Sequence, residues 1–177
     1  ESLLLADLPG TYSLRARSAE EIVARDFLCF AEPDAAVVVC DATCLERGLL
    51  LVMQVLETCP RTLLCVNLLD EAEKRQIAID LPQLEQLLGI PVVGMAARSG
   101  TGLPEFQQRL FDLLHQPAPQ PLPCPVPEQL EQPLKQIQNE LPKNLCGLQR
   151  EWTARRLLEP EPELHEKIAA HGNISLE

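Results

Sequence analysis

The sequence predicts an α/β fold, a mostly parallel sheet with flanking helices, followed by a small helical segment. Three observations carry this. Between residues 3 and 114, apolar runs of strand length alternate with amphipathic runs of helix length. Most of the strand-like runs end in an acid or an amide, as strands do when they deliver polar groups to one edge of a sheet. From residue 117 to 127, proline falls at every second position, and only helical patterns follow.

The elements follow in order. Leu3 to Gly10 reads Leu-Leu-Leu-Ala-Asp-Leu-Pro-Gly, and a strand ending at Asp7 is expected there, followed by a turn. Such a strand would hold the Asp7 carboxylate at the sheet's C-terminal edge. Gly10, lacking a Cβ, would let the backbone approach an oxyanion. An acid for a metal-bound water and a glycine N–H for a terminal phosphate make a phosphate sensor. Taken alone, Asp-x-x-Gly equally describes a buried strand and a turn. Residues 11–17 are polar and irregular. Ser18 and Glu21 then form a capping box, and Ile22, Val23, Phe27 and Phe30 give a helical stripe to residue 30.

Residues 34–41 contain a β-branched run that suits a strand buried on both faces. Residues 45–56 read as a helix with Leu49, Val52, Met53 and Leu56 on one side, locally weakened by Gly48. A third buried strand, 62–66, ends at Asn67-Leu68-Leu69-Asp70, and 71–75 is a charged turn of helix. Asp80 caps a helix over 81–88, with Pro82 tolerated in the first turn and Gly89 as the stop. A fourth strand, 90–95, runs into Ala96-Ala97-Arg98-Ser99-Gly100-Thr101-Gly102, and an amphipathic helix covers 103–114. In a parallel sheet these strand ends gather Asp7, Asp41, Asn67, Asp70 and the 96–98 loop on one edge, the place to look for a ligand.

The domain organisation expected is therefore 1–116 for the α/β part, 117–127 for a stiff proline-rich spacer, and 128–177 for a partial helical domain. The proline tract could instead serve as a ligand for a proline-binding module. In the last part Leu130, Leu134, Ile137 and Leu141 share a helical face despite Pro133, and 152–158 and 163–170 read as further helices. The chain opens on Glu1 and closes on a polar stretch from Gly172 to Glu177, which reads as an internal piece of a longer protein.

Composition excludes some functions. Fifteen Lys and Arg against 26 Asp and Glu give a net charge of −11, which argues against binding a nucleic-acid backbone. No apolar run approaches the ~20 residues that span a bilayer. Seven cysteines, none spaced as Cys-x-x-Cys and several inside apolar runs, read as small buried hydrophobes rather than disulfides or zinc ligands. His115, His165 and His171 are scattered with no partner spacing and read as surface or linker histidines.

At Asn67-x-x-Asp70, a carboxylate can accept both N–H groups of a guanine's Watson–Crick edge, a donor pair that adenine lacks. Asn67 can bond the base or tie neighbouring loops together, and Leu68 can pack on the base. Ala97 can offer its backbone N–H to the guanine oxygen. Singly these signals are weak. In this order and spacing they match the later half of a GTP-binding domain, a P-loop-GTPase-like fold.

The resemblance is closer than fold. Asp7-Leu8-Pro9-Gly10-Thr11-Tyr12-Ser13-Leu14 and Ser18-x-Glu20-Glu21-x-x-Ala24-Arg25-Asp26 resemble the switch region of FeoB, the bacterial ferrous iron transport protein B family. Asp41-Ala42-Thr43-x-Leu45-Glu46-Arg47, Asn67-x-x-Asp70-Glu71-Ala72-x-Lys74-Arg75 and the 79–93 segment are similar to the same family, and Trp152-x-Ala154-x-x-Leu157-Leu158-Glu159 loosely resembles its helical spacer. This implies a GTPase domain at the cytoplasmic face of the bacterial inner membrane, joined to a polytopic permease part that moves Fe(II), with GTP gating or driving transport. By the same resemblance Asp7 would hold Mg²⁺ through water and Gly10 would contact the γ-phosphate. Asn67, Leu68, Asp70, Ala96, Ala97 and Arg98 would surround the guanine of GTP or GDP. The resemblance admits a homo-oligomer.

Departures are also visible. Ala96 stands where the family usually has serine, and Cys44 and Gly48 where it has asparagines. Thr11 follows Gly10 in place of the glutamine that orients water in many GTPases, which predicts slow hydrolysis. No Gly-x-x-x-x-Gly-Lys-[Ser/Thr] occurs in the 177 residues, so this polypeptide alone is expected to bind GTP weakly or not at all and to be inactive. Two alternatives are a soluble GTPase of ribosome or tRNA maturation, and a non-catalytic interaction module built on the same scaffold.

Overall fold

Local signals set most of the elements. The computed structural model describes residues 2–15, 18–121 and 126–175. Two compact units, Glu1–Leu122 and Pro123–Glu177, divide the chain. Of the proline tract, Pro123 and Pro125 lie outside the described residues, as do Cys124, Arg17 and the last two residues.

In the first unit, helix α1 (Ala19–Phe30) begins with the expected capping box: the Glu21 N–H donates to Ser18 Oγ at 3.2 Å and the Ser18 N–H to Glu21 Oε2 at 3.3 Å. Strands β1 (Ala36–Asp41), β2 (Thr62–Asn67) and β3 (Val92–Gly94) form a parallel sheet in the order β1-β2-β3. Helix α2 (Leu45–Thr58) joins β1 to β2 after a 3-10 turn at Ala42–Cys44. Helices α3 (Leu69–Lys74) and α4 (Leu81–Leu88) join β2 to β3, and α5 (Leu103–His115) follows. Asp80 caps α4 by accepting the Gln83 N–H at 2.9 Å, and Gly89 ends it at φ 68°.

β2 is buried on both faces because helices cover both. Val52, Val55 and Leu56 of α2 and Leu88 of α4 pack with Val38, Cys40, Leu64 and Val66 on one side. Leu113, Phe106 and Leu110 of α5 pack on Leu63 and Val93 on the other. Arg61, ahead of β2, closes the end of α5 by donating to the Leu113 and Gln116 carbonyls at 2.6 and 2.8 Å.

The strand expected over residues 3–7 is absent. Residues 2–10 carry no regular structure, and Leu3, Leu4 and Leu5 are 55, 99 and 79% exposed. A strand exists only by pairing, and this run of leucines joins no ladder among the described residues, so its apolar pattern alone does not hold it extended. The sheet of the described residues thus has three strands where four were expected. β1, an edge strand, also departs from expectation: Val37 and Val39 face outward and only alternate residues are buried.

In the second unit, α6 (Glu128–Glu140), α7 (Arg150–Leu157) and α8 (Pro162–Gly172) bury Leu134, Trp152, Ala154, Leu164 and Ile168. The Arg150 guanidinium satisfies the carbonyls at the end of α6, donating to Gln138, Leu141 and Pro142 at 2.6, 2.9 and 2.6 Å. Among the described residues no helix is long and apolar enough to cross a membrane.

Candidate functional site

The parallel register decides which side chains meet. Asp41 pairs with Asn67, and Val66 with Gly94, so β1, β2 and β3 all end at one edge. Asn67, Leu68 and Asp70 leave the tip of β2, and Ala96, Ala97 and Arg98 leave the tip of β3. Two backbone bonds lock these corners together: Met95 N–H to the Val66 carbonyl at 2.8 Å and Leu69 N–H to the Met95 carbonyl at 3.2 Å.

Asn67 adds a third link. Its Oδ1 accepts the Ala97 N–H at 3.0 Å. Of the two roles open to Asn67, tying loops together is therefore visible here, while its amide N–H₂ points to no hydrogen-bond partner among the described residues. Leu68 adopts the left-handed conformation, φ 64° and ψ 34°, at the corner between β2 and α3. That costs a non-glycine residue about 1 kcal/mol or more, and such strain gathers at functional corners. Asp70 is half-buried in the first turn of α3, and its carboxylate accepts no hydrogen bond among the described residues. An open acceptor pair beside two tied loops is the chemistry that a donor pair on a planar base would satisfy.

Asp41 stands on the same edge but is engaged: it accepts the Thr43 N–H at 2.7 Å, and that bond holds its carboxyl below the usual aspartate range. Ala96 is buried, and its loop is held by an alternative set of bonds. The Ala96 N–H donates to the Thr101 carbonyl at 3.0 Å, and Ser99 Oγ donates to the Ala96 carbonyl at 3.0 Å while lying 2.8 Å from Thr101 Oγ1. Ser99 and Thr101 were not singled out in the sequence; a hydroxyl pair two residues apart in a glycine-flanked loop was the available signal.

No hydrogen bond or ion pair among the described residues joins Asp7 or Gly10 to this edge. Asp7 is exposed, and a Cβ added at Gly10 would meet nothing within 4 Å, so no cradle surrounds that glycine. Among the described residues no three His, Cys, Asp or Glu side chains come together as a metal site. A cleft of about 480 Å³ lined by Glu85, Arg109, Asp112 and Gln116 lies at the opposite edge, where β3 begins, and takes no part in the strand-tip arrangement.

Known proteins bear on this geometry. The family described as ferrous iron transport protein B matches residues 1–110. An Fe(2+) transport protein A/Fe(2+) transporter FeoB fusion protein of Porphyromonas gingivalis is 42% identical over 111 residues, covering 62% of this chain and 13% of its own length. The Fe(2+) transporter FeoB of Helicobacter pylori J99 is 43% identical over 97 residues, covering 55% and 15%. This chain thus spans about one seventh of those relatives. Among solved structures, the cytosolic domain of T. maritima FeoB in a GMPPNP form superposes with a TM-score of 0.85 at 30% identity, over 97% of this chain and 68% of that one. The cytosolic domain of L. pneumophila FeoB gives a TM-score of 0.81 at 35% identity, over 91% and 64%. The match of the family model over residues 1–110, most of the chain, places the chain in the ferrous iron transport protein B family.

Proposed function

We propose that this chain carries the base-reading half of a guanine-nucleotide switch belonging to a ferrous iron transporter. The observation that carries the reading is the Asp70 carboxylate, half-buried, open, and flanked by loops that Asn67 ties together. Guanine presents N1–H and a 2-amino group on one edge; Asp70 accepts both, and adenine offers no such pair. Asn67 contributes its amide N–H₂, Leu68 an apolar surface for the base face, and Ala97 and Arg98 the opposite wall. Ala97 reaches the guanine oxygen by sharing the N–H that it now gives to Asn67.

The phosphate half is proposed on family membership. On that ground Asp7 would hold Mg²⁺ through a water and Gly10 would meet the γ-phosphate, and Mg²⁺ would supply charge neutralisation at the phosphates. The T. maritima structure with GMPPNP supports guanine-nucleotide binding within the family. With no phosphate-loop motif in its 177 residues, this chain alone binds GTP weakly or not at all and hydrolyses none detectably; micromolar affinity in isothermal titration would contradict that. The domains proposed are 1–116 for the nucleotide part, 117–127 for the spacer and 128–177 for part of a helical domain. In the whole protein, the proposed place is the cytoplasmic face of the bacterial inner membrane, next to a permease part of the same chain, with nucleotide regulating Fe(II) uptake and a homo-oligomer as the assembly. Family membership favours this over a soluble ribosome-type or tRNA-type GTPase.

Amide chemical shifts test the base reading. Guanosine at about millimolar concentration, sufficient for weak binding, is expected to move signals at 67–70 and 96–98, adenosine is not, and Asp70→Ala abolishes the response. Equal responses to both nucleosides would overturn it.

A further inference from the structure

We propose that Gln54 is a positioning residue that fixes the far end of the loop carrying Asp7 and Gly10, making that loop a tether of set length on α2. What the loop senses rests on the reading above; the clamp stands on geometry. Gln54 Oε1 accepts two donors from the loop, the Leu14 N–H at 2.6 Å and the Ser13 hydroxyl at 3.1 Å. Leu14 is 5% exposed and enters the main core. Seven residues earlier on the same helix, the Arg47 guanidinium lies 4.2 Å from the centroid of the Tyr12 ring. A seven-residue spacing puts Arg47 and Gln54 on one face of α2. Three consecutive residues, 12 to 14, thus engage one helix face by a cation–π contact, two hydrogen bonds and burial.

The loop is also knitted to itself. Thr11 Oγ1 donates to the Ser13 carbonyl at 2.7 Å and accepts the Ser13 N–H at 3.2 Å, and Ser13 Oγ accepts the Arg15 N–H at 3.0 Å. By contrast, residues 2–10 carry no regular structure and Leu3 to Leu5 are exposed. The border between open and held chain therefore falls at Thr11. Gly10 and Tyr12 are two residues apart, a reach of at most about 7 Å. A ligand that draws in the Gly10 N–H consequently pulls on the α2 face, and does so through Gln54.

Among the described residues Gln54 uses only its acceptor. A carboxylate can take its place, and a leucine of similar size cannot. The test is amide hydrogen exchange on the 177-residue chain without nucleotide. Gln54→Leu is expected to speed exchange at Leu14 by about tenfold, and Gln54→Glu to keep it within about threefold of the parent. Amides of β2 stay unchanged in both. Leu14 exchange unmoved by Gln54→Leu, or equally fast in Gln54→Glu, overturns the clamp. If Gln54→Leu also opens β2, Gln54→Glu and Ser13→Ala decide: protection kept in the first and reduced in the second supports the clamp, and any other pairing overturns it. Because no nucleotide is present, failure here leaves the guanine reading standing, and failure of the guanosine titration leaves the clamp standing.

Discussion

Replacing Gly48 with alanine tests how α2 sits on the sheet. In a helix interior, alanine is favoured over glycine by about 1 kcal/mol. Here a Cβ at position 48 would lie 2.9 Å from the Cys40 Cβ and would overlap Cys40 Sγ. Carbon atoms in ordinary contact stand about 3.5–4.0 Å apart. Cys40 is 4% exposed on β1, so neither strand nor side chain retreats freely. Overfilling a packed core costs about 1–3 kcal/mol, and a steep overlap with both atoms of one side chain belongs at the upper end. Setting about 3 kcal/mol of clash against about 1 kcal/mol of helix preference leaves Gly48→Ala destabilising by about 2 kcal/mol. Cys40→Ala removes the Sγ overlap and leaves the 2.9 Å approach of the two Cβ atoms. It costs about 1 kcal/mol by itself for the lost buried sulfur, but in that background the cost of Gly48→Ala is expected to fall by about 1 kcal/mol or more, because only the Cβ contact remains. Thermal unfolding followed by far-ultraviolet circular dichroism resolves this, since 1 kcal/mol moves the midpoint by about 2–4 °C. A Gly48→Ala chain more stable than the parent, or an equal cost in both backgrounds, would refute the packing explanation.

Three other expectations follow from the same geometry. Asn67→Ala removes the acceptor of the Ala97 N–H, and exchange of that amide should rise about fivefold to tenfold in hydrogen-exchange NMR with β1 unaffected. Gly102 has φ +80°, and a Cβ there would overlap the Gly94 carbonyl and sit 3.0 Å from Met95 Cα, so Gly102→Ala should destabilise the first unit by about 2 kcal/mol or more in urea denaturation. Burial pushes the Cys40 thiol, helped by Cys65 and Cys44, and the Cys65 thiol up from 9.0 to about 11. The unfolded chain then loses these protons first, so the stability they contribute is complete below pH 9.0 and declines toward about 11; Cys65→Ala should flatten the fall in unfolding midpoint across that window.

What the sequence made legible was mostly local. Ser18 with Glu21 and Asp80 with Gly89 state where α1 and α4 begin or end, because the capping partners lie within one or two turns of chain. The run around Leu64 was legible as a strand because burial between helices selects continuous apolar residues, and the run around Val38 because its β-branched residues suit a strand although only alternate ones are buried. Leu3 to Asp7 is likewise an apolar run ending in an acid and is not a strand, since pairing depends on a neighbour that composition does not reveal. Gly48 looked like a weakness in α2 and is a point of close approach, a fact held by Cys40 on another element. Leu68 gave no hint of its left-handed conformation, because an apolar residue is an unusual choice there. Asn67, Asp70 and Ala97 were legible as candidates through motif spacing, and the parallel register explains why they share an edge. Gln54 went unnoticed among apolar neighbours; a polar residue seven positions from Arg47, inside the apolar run over 49–56, was the signal.

The proposed guanine reading has the Asp70 carboxylate taking two donors from the base. Inosine diphosphate differs from GDP by lacking the 2-amino group, so it removes one of those donors and nothing else. Dissociation constants for both ligands, taken from amide shifts at 67–70 and 96–98, measure this directly. The parent chain is expected to favour GDP by about tenfold or more, the worth of one hydrogen bond to a charged group, and Asp70→Ala to lose the preference. Equal affinity for the two ligands in the parent chain, or a GDP preference that survives in Asp70→Ala, would contradict the claim.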